Sequence, residues 1–311
     1  MGPIDSFLAN FSPIDQPMDD TVVSYLVKLG MTEHEASFWV RHRRSAVNCG
    51  GWSRHRFLTK HGQPLASASL VKPVHCTQEG LLVGFVDTPA PLNYPMSEAV
   101  LTFCFGDATA LGASQIRVEV KDSELQLRKC LEKQGCQMVF EERQYVVKLS
   151  SRLRGQYTPC RSLEFQSLDS LAKTGRLTEV VDFVTKYYED IPHSYPISAV
   201  SQFVSLEILD PTTINSASVS ASCEGRICGL ILCSDLEGDG ITADIIYLLV
   251  ARELRSRGVG SAIRHKAFQR LVSLGFRRVR TMTAATNAPV VASYQHWVPE
   301  AAAIFTYAKS L

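Results

Sequence analysis

A short α/β segment occurs twice in this chain, and this repeat constrains the fold more than any other feature. Residues 111–117 (LGASQIR) align with residues 274–280 (LGFRRVR). In each copy a helical stretch ends at a glycine, which suits the positive φ of a helix C-cap, and a strand-like stretch follows. A further helical stretch comes next, at 123–133 and at 288–297. The repeat predicts two copies of one α/β unit.

The length and the order of patterns define the predicted architecture. A chain of 311 residues, 45% of them hydrophobic, is long enough for two domains. Residues 151–161 are predicted to be a linker, because the sequence there is polar and lacks periodicity. The linker separates a first domain over 1–150 from a second over 162–311. The predicted fold is α/β: two tandem domains, each with a mixed, mostly antiparallel sheet flanked by helices.

Composition excludes several function classes. The 32 basic and 31 acidic side chains nearly cancel, so neither nucleic acid nor an anionic membrane is an expected partner. No apolar run approaches the ~20 residues of a membrane-spanning helix. Nine cysteines without disulfide-like spacing, and no signal-peptide pattern, favour reduced thiols and a cytoplasmic protein. Cys223, Cys228 and Cys233 contain no CxxC pair, so we expect buried thiols and no metal.

The segment that carries chemistry follows a nearly apolar strand at 241–250. Residues 250–263 (VARELRSRGVGSAI) pass from that strand through a loop with two glycines directly into a helix. Backbone N–H groups converge at a helix N-terminus, where the helix dipole favours negative charge, so an anion site is predicted. The glycines let a phosphate approach the backbone, and the arginines add suitable cations. A glycine-capped helix with solvated arginines is the alternative interpretation.

This loop resembles the signature of the GCN5-related N-acetyltransferase (GNAT) superfamily. Residues 255–260 (RSRGVG) fit its [QR]xxGx[GA] pattern at every fixed position, after a hydrophobic strand. The resemblance covers residues 163–311 and implies that acetyl-CoA is the acyl donor and that the loop amides hold its pyrophosphate. The donor-binding residues that we expect on this basis are Leu249, Val250, Arg255, Arg257, Gly258, Val259, Gly260, Ser261 and Asn287.

Residues 287–294 (NAPVVASY) look like the family's asparagine-to-tyrosine segment at the start of its last helix. The resemblance implies that Asn287 contacts the cofactor arm and that Tyr294 protonates the leaving thiolate. The match is incomplete, because QHWVP follows where the family usually has a two-residue spacer and Leu-Gly-Phe. The short tail leaves room for one strand where the family usually has two.

The first half departs from the family pattern at the loop. When the register of the repeat is extended without a gap, Arg255, Gly258, Gly260 and Tyr294 are matched by Leu92, Pro95, Ser97 and Leu131. A proline and larger side chains at the glycine positions would crowd a pyrophosphate and remove an N–H donor. The first copy is therefore predicted to be degenerate, with one active site per chain.

The predicted reaction is direct transfer of an acetyl group to an amine of a small molecule. The amine must be neutral to attack, and Asp244 and Tyr247 on the central strand are the candidates for the groups that assist it. Strict alternation places these two side chains on opposite faces. A backbone N–H near Leu249 or Val250, where the strand splays, is the candidate oxyanion donor. The acidic turn at 235–239 is either a solvated loop or, if it faces the cleft, favours a cationic acceptor.

Two other interpretations stay open. The altered sequence after Tyr294 is compatible with a catalytically silent acyl-CoA-binding or regulatory protein. An enzyme of the same fold could instead use a longer acyl-CoA or an acyl carrier protein as the donor. The sequence indicates neither the acceptor's identity nor an oligomeric state.

Overall fold

The computed structural model describes most of both halves of the chain. The described residues are 5–10, 16–33, 36–37, 40, 52–61, 63–72, 76, 78–88, 90–149, 163–191, 199–295, 298 and 301–311. The predicted linker at 151–161 lies outside them, and the domain limits stay a prediction.

Twelve strands and eight helices are present in the described part of the chain. The strands are Asp5–Asn10 (β1), Trp52–Lys60 (β2), Gln63–Lys72 (β3), Leu81–Asp87 (β4), Gln115–Lys121 (β5), Gln137–Lys148 (β6), Leu163–Ser167 (β7), Val219–Cys223 (β8), Arg226–Ser234 (β9), Thr242–Val250 (β10), Arg278–Ala284 (β11) and Ala302–Ser310 (β12). The helices are Gln16–Lys28 (α1), Tyr94–Ala110 (α2), Leu125–Lys133 (α3), Leu168–Lys173 (α4), Leu177–Tyr187 (α5), Val200–Ile208 (α6), Val259–Ser273 (α7) and Ala288–Gln295 (α8).

All twelve strands belong to one mixed sheet, because the two halves exchange their last strands. The strand order is β1-β2-β3-β4-β5-β12-β6-β11-β10-β9-β8-β7. The C-terminal strand β12 lies between β5 and β6 and is antiparallel to both, with Thr306 opposite Glu119 and Phe140. Strand β6 also pairs with β11, where Val146 is opposite Arg280. Each half therefore completes the sheet of the other.

The predicted repeat is present in the structure. Strands β5 and β11 begin at matching positions of the repeat, and so do helices α3 and α8. Helices α2 and α7 end at matching positions, and the glycines that follow them, Gly112 and Gly275, have φ of 71° and 99°. These values lie in the left-handed region that favours glycine, so the predicted C-caps are explained by backbone geometry.

The repeat register changes in the loops before α2 and α7. Parallel pairing begins at Leu81 in β4 and at Thr242 in β10. The stretch from Leu81 to Asn93, the N-cap of α2, is shorter than the stretch from Thr242 to Gly258, the N-cap of α7. The N-cap counterpart of Gly258 is therefore Asn93, two residues before Pro95, because α2 has 17 residues, α7 has 15, and the two helices end at matching positions.

Helix α7 packs closely on the second half of the sheet. A Cβ atom added to Gly229 in β9 would lie 2.3 Å from Ile263 Cδ1, so the lack of a side chain at Gly229 allows this close approach. Both helices α5 and α7 contribute fully buried residues to the core, including Val180 and Phe268. Each such side chain stabilises the fold by about 1.5–3 kcal/mol.

The described cysteines are all free thiols, and burial raises the pKa of Cys104 and of Cys233 to about 12. None of the described helices combines the length and the hydropathy that crossing a bilayer requires.

Candidate functional site

Strands β10 and β11 separate toward their carboxyl ends. They pair in parallel only from Thr242 and Arg278 to Ile245 and Thr281. Beyond these residues β10 continues along β9 and β11 continues along β6. The space between 246–250 of β10 and 282–284 of β11 is called the notch below. In open α/β sheets, ligands bind at the carboxyl ends of neighbouring parallel strands.

The glycine loop lies at the end of β10, before helix α7. Gly258 caps α7 with φ of 81°, and Ser256 also has a positive φ. Nothing lies within 4 Å of the Cβ position at Gly258, and both Gly258 and Ser261 are exposed. The first N–H groups of a helix have no acceptor within the helix. Here those of Val259, Gly260 and Ser261 are available to an anion.

The loop arginines have different environments. Arg255 donates through Nε to the Val250 carbonyl at 3.0 Å and forms an ion pair with Asp190. Arg252 binds the same carboxylate, with Nη2 2.5 Å from Oδ1. These arginines, Arg252 first, lower the pKa of Asp190. Arg255 is therefore bound within the protein, whereas Arg257 is exposed and forms no ion pair with any described residue.

Tyr294 and Asn287 lie on the other side of the notch, in and before α8. Tyr294 is 1% exposed, and its ring stacks on Tyr145 of β6 with a centroid distance of 5.5 Å. The guanidinium of Arg264 in α7 lies 5.2 Å from the Tyr294 ring centroid. Burial raises the pKa of Tyr294, and Arg264 opposes that rise. The partner strand β6 comes from the first half, so both halves enclose this phenol.

Arg264 is a residue that the sequence analysis missed. It is 9% exposed, and its Nη1 donates to Ser293 Oγ at 2.8 Å, which joins α7 to α8. An arginine among the apolar positions of an otherwise buried helix face was the available signal.

A β-bulge in β10 brings the two predicted polar residues to one face. Asp244 is opposite Ser234 and Tyr247 is opposite Leu232. Ser234 and Leu232 are two residues apart in β9 and share a face, so Asp244 and Tyr247 do as well. Ile246 is the extra residue that breaks the alternation. The expectation of opposite faces was wrong for this reason.

This shared face is the one away from α7. Val250 is opposite Gly229, which contacts α7, whereas Leu249 is opposite Leu230 on the other side. The face that carries Asp244, Tyr247 and Leu249 is called the α6 face, because α6 contacts it. The two candidate oxyanion residues, Leu249 and Val250, therefore point to opposite faces at the notch.

The charge of Asp244 is compensated by an arginine of the neighbouring strand. Arg280 of β11 donates to both of its oxygens, with Nε–Oδ1 at 2.5 Å and Nη2–Oδ2 at 3.1 Å. Burial raises the pKa of Asp244, and Arg280 opposes the rise. Arg280 also binds Glu237 of the acidic turn, Nη1–Oε1 at 2.5 Å. Asp239 of the same turn accepts hydrogen bonds from the N–H groups of Ile241 and Thr242. The carboxylates of Glu237 and Asp239 therefore have structural roles in this turn.

Tyr247 donates a hydrogen bond to Glu207 Oε2 in the last turn of α6. Burial raises the pKa of Glu207 to about 8, and the nearby Asp210 carboxylate adds to this effect. Glu207 was not among the residues predicted from the sequence. Its only signal was a single acidic residue in a mostly apolar segment, FVSLEI.

Comparisons with known proteins agree with this geometry. Residues 180–297 match the model of the acetyltransferase (GNAT) family. A tandem GNAT protein from the clavulanic acid biosynthesis pathway superposes with a TM-score of 0.68 at 13% identity, covering 98% of each chain. A GCN5-related N-acetyltransferase from Sphaerobacter thermophilus superposes with a TM-score of 0.66 at 13% identity, covering 98% of this chain and 95% of that one. No curated protein matches the sequence significantly.

The family match spans the α5–α8 region that contains the notch and the glycine loop, and the structural likenesses establish the fold of the whole chain. The second half of this chain therefore belongs to the GNAT superfamily, and the chain as a whole has the fold of a tandem GNAT protein.

Proposed function

We propose that this protein is an acetyl-CoA-dependent N-acyltransferase that moves an acetyl group directly to an amine of a small molecule. Acyl transfer is the chemistry of the family to which the second half belongs. The observation that carries the proposal is the open N-terminus of α7 beside a strand pair that separates. Such a site offers both an anion cradle and a gap in which a thioester fits.

The loop residues fit the donor's pyrophosphate. The amides of Val259, Gly260 and Ser261 would bind its oxygens, and the exposed Arg257 would add a cation. Gly258 leaves the approach open, because the space around its Cβ position is empty. Arg255, held by Asp190, would position the loop and not contact the phosphates directly.

The notch residues fit the reacting end of the donor. Acetyl-CoA supplies an activated thioester. A backbone N–H of Leu249 or Val250 would stabilise the oxyanion. Tyr294 would give a proton to the departing sulfur, since its raised pKa keeps the phenol protonated at neutral pH. Asn287, partly buried just before α8, would contact the cofactor arm.

The acceptor would approach from the α6 face, because α7 covers the other face of β10. Carboxylates on that side favour a cationic amine. We place the protein in the cytoplasm, where the described free thiols would stay reduced.

The test is thermal unfolding with acetyl-CoA, propionyl-CoA and longer acyl-CoAs, followed by transfer assays with a panel of small amines. A ligand at ~100 times its Kd adds ~2.7 kcal/mol to the free energy of unfolding, which raises Tm measurably. We expect the largest shift with acetyl-CoA, and acetylated amine as the product. Binding without transfer would identify an acyl-CoA-binding protein instead. A larger shift with a longer acyl-CoA would reassign the donor, and no shift with any of them would overturn the proposal.

A further inference from the structure

Glu207 is fixed at the end of α6 by its surroundings. Val204 and Ile208 of the same helix are buried in the core. Thr213 Oγ1 donates to the Glu207 carbonyl at 2.8 Å, which ends the helix at this point. Phe203 packs edge-to-face on Tyr188, with ring centroids 6.2 Å apart, and this contact holds α6 against the segment after α5. The carboxylate is therefore carried by a packed helix, as a positioned catalytic group requires.

The bulge in β10 turns Tyr247 toward this carboxylate. Tyr247 stands two residues beyond Ile245, the last residue of β10 that pairs with β11. Because of the extra residue Ile246, the phenol of Tyr247 points to the α6 face and donates to Glu207. Without the bulge, strict alternation would turn this phenol toward α7.

The other carboxylates near this face are held by donors. Asp244 and Glu237 both bind Arg280. Asp210 accepts two hydrogen bonds from Thr212, from N at 2.8 Å and from Oγ1 at 2.5 Å. Among the residues that the structure describes, Glu207 receives its side-chain hydrogen bond from Tyr247, a neutral donor. Of these carboxylates, Glu207 is therefore the one to which a cationic ligand would still donate a hydrogen bond.

We propose that Glu207 is the base that takes a proton from the acceptor's ammonium group, and that Tyr247 holds its carboxylate toward the notch. This inference rests on the proposed function and deepens it by assigning a base and its positioning residue to that reaction.

The charges around Glu207 suit this role. Burial, and then Asp210 on its own segment, raise its pKa, and the value of about 8 is close to working pH. Tyr247 from β10 faces it, and Tyr188 lies behind α6. Asp244 and Arg280 on the sheet and Glu237 in the acidic turn form a group with net negative charge, which attracts a cation.

The proton and electron balance of the step is complete. The ammonium nitrogen loses one proton to the Glu207 carboxylate. The neutral amine then forms a C–N bond to the acetyl carbon while the C–S bond breaks, and the sulfur leaves with the electron pair. The sulfur receives a proton from Tyr294 or water, and the proton lost by the new amide nitrogen restores that donor. Glu207 finally releases its proton to solvent, so the products are amide, thiol and one proton.

The experiment compares wild type with Glu207→Gln and with Asp182→Asn, a matched control that removes an exposed carboxylate from α5. The probes are n-butylamine and 1,4-diaminobutane, which are protonated at neutral pH, and aniline, which is neutral. We expect Glu207→Gln to lower kcat/KM about 100-fold with the alkylamines and about threefold or less with aniline. Its acetyl-CoA-induced rise in Tm should equal that of wild type, and Asp182→Asn should behave as wild type throughout.

The pH profile separates a base from a structural residue. Wild-type kcat/KM with an alkylamine should rise with pH through the pKa of Glu207 and then level off. Glu207→Gln should lack this plateau and rise continuously, because without the base it reacts only with the small neutral fraction of the amine. Equal losses with alkylamines and aniline, or an unchanged profile, would overturn the inference while the proposed function stands. Absence of transfer by wild type to every probe would overturn both.

Discussion

The two strand–loop–helix units of this chain share a fold, but the N-terminus of α2 is capped by a side chain and that of α7 is not. In the second half, Gly258 caps α7 and leaves its first amides open. In the first half, Asn93 caps α2, and its Oδ1 accepts from Met96 N at 3.1 Å. Leu92 N just before it donates to Glu124 Oε2 at 3.2 Å. The first unit therefore supplies side-chain acceptors at and just before the start of α2, whereas the glycine that caps α7 offers none.

Glu124, the acceptor for Leu92 N, has an informative position in the repeat. Glu124 is the counterpart of Asn287, the residue expected to contact the cofactor arm. It is 8% exposed, and Thr88 Oγ1 also donates to it at 3.2 Å. A carboxylate at this place would repel a phosphate. The two units thus differ in one cap, one loop length and one charge, and each of these differences favours an anion site in the second unit alone.

The largest effect is expected at the glycine cap of α7. Gly258→Val places a β-branched residue at a φ of 81° and a side chain in the approach to the loop amides, so the acetyl-CoA-induced rise in Tm should be lost. The matched control is Gly275→Val, at the C-terminal end of the same helix, where φ is 99° and the space is equally open. This control should lower Tm similarly and keep the full ligand shift. Loss of the shift in both variants would show that backbone strain, and not the loop, is responsible.

The next effect concerns Tyr294, whose counterpart in the first half is the buried Leu131. Tyr294→Phe keeps the stack on Tyr145 and removes only the hydroxyl, so we expect kcat to fall about 100-fold with the Kd of acetyl-CoA unchanged. Single-turnover kinetics and calorimetric titration measure the two quantities. An unchanged kcat would remove this phenol from the mechanism and make its position purely structural, like that of Leu131.

A smaller effect is expected from the internal carboxylate of the first half. Glu124→Ala leaves the Leu92 N–H without its buried acceptor, which costs about 1–3 kcal/mol of unfolding free energy. The stoichiometry of acetyl-CoA, measured calorimetrically, should stay at one per chain, because the short loop and Pro95 still close the first unit. A stoichiometry of two would mean that Glu124 alone prevents the first half from binding acetyl-CoA.

The smallest effect is expected at the ion pairs that hold the glycine loop. Arg252 first, and then Arg255, lower the pKa of Asp190. A group with a lowered pKa in the folded state stabilises the fold above its ordinary pKa, and this contribution is lost as pH falls through the lowered value. Asp190→Asn should therefore lower Tm slightly at neutral pH and leave it unchanged in strong acid. A pH-independent difference between the two proteins would contradict the assigned ion pairs.

Much of the fold could be predicted from local patterns. The repeat was visible because Gly112 and Gly275 mark helix ends by their backbone freedom. The glycine loop before α7 was visible because an apolar strand, two glycines and a helical pattern follow one another directly. The uniform register places Pro95 opposite Gly258, whereas the N-cap of α2 is Asn93, because α2 starts two residues earlier in that register than α7 does.

The sequence by itself determined the two α/β units, the glycine loop before α7 and the tyrosine of α8, because these depend on the conformational preferences of consecutive residues. Only the tertiary structure decided that β12 completes the sheet of the first half, that the bulge at Ile246 turns Tyr247 to the face of Asp244, and that Glu207 meets Tyr247 there. Strand exchange, registers and cross-element contacts join residues far apart in the chain. Their free energies arise from packing and pairing that no local pattern encodes.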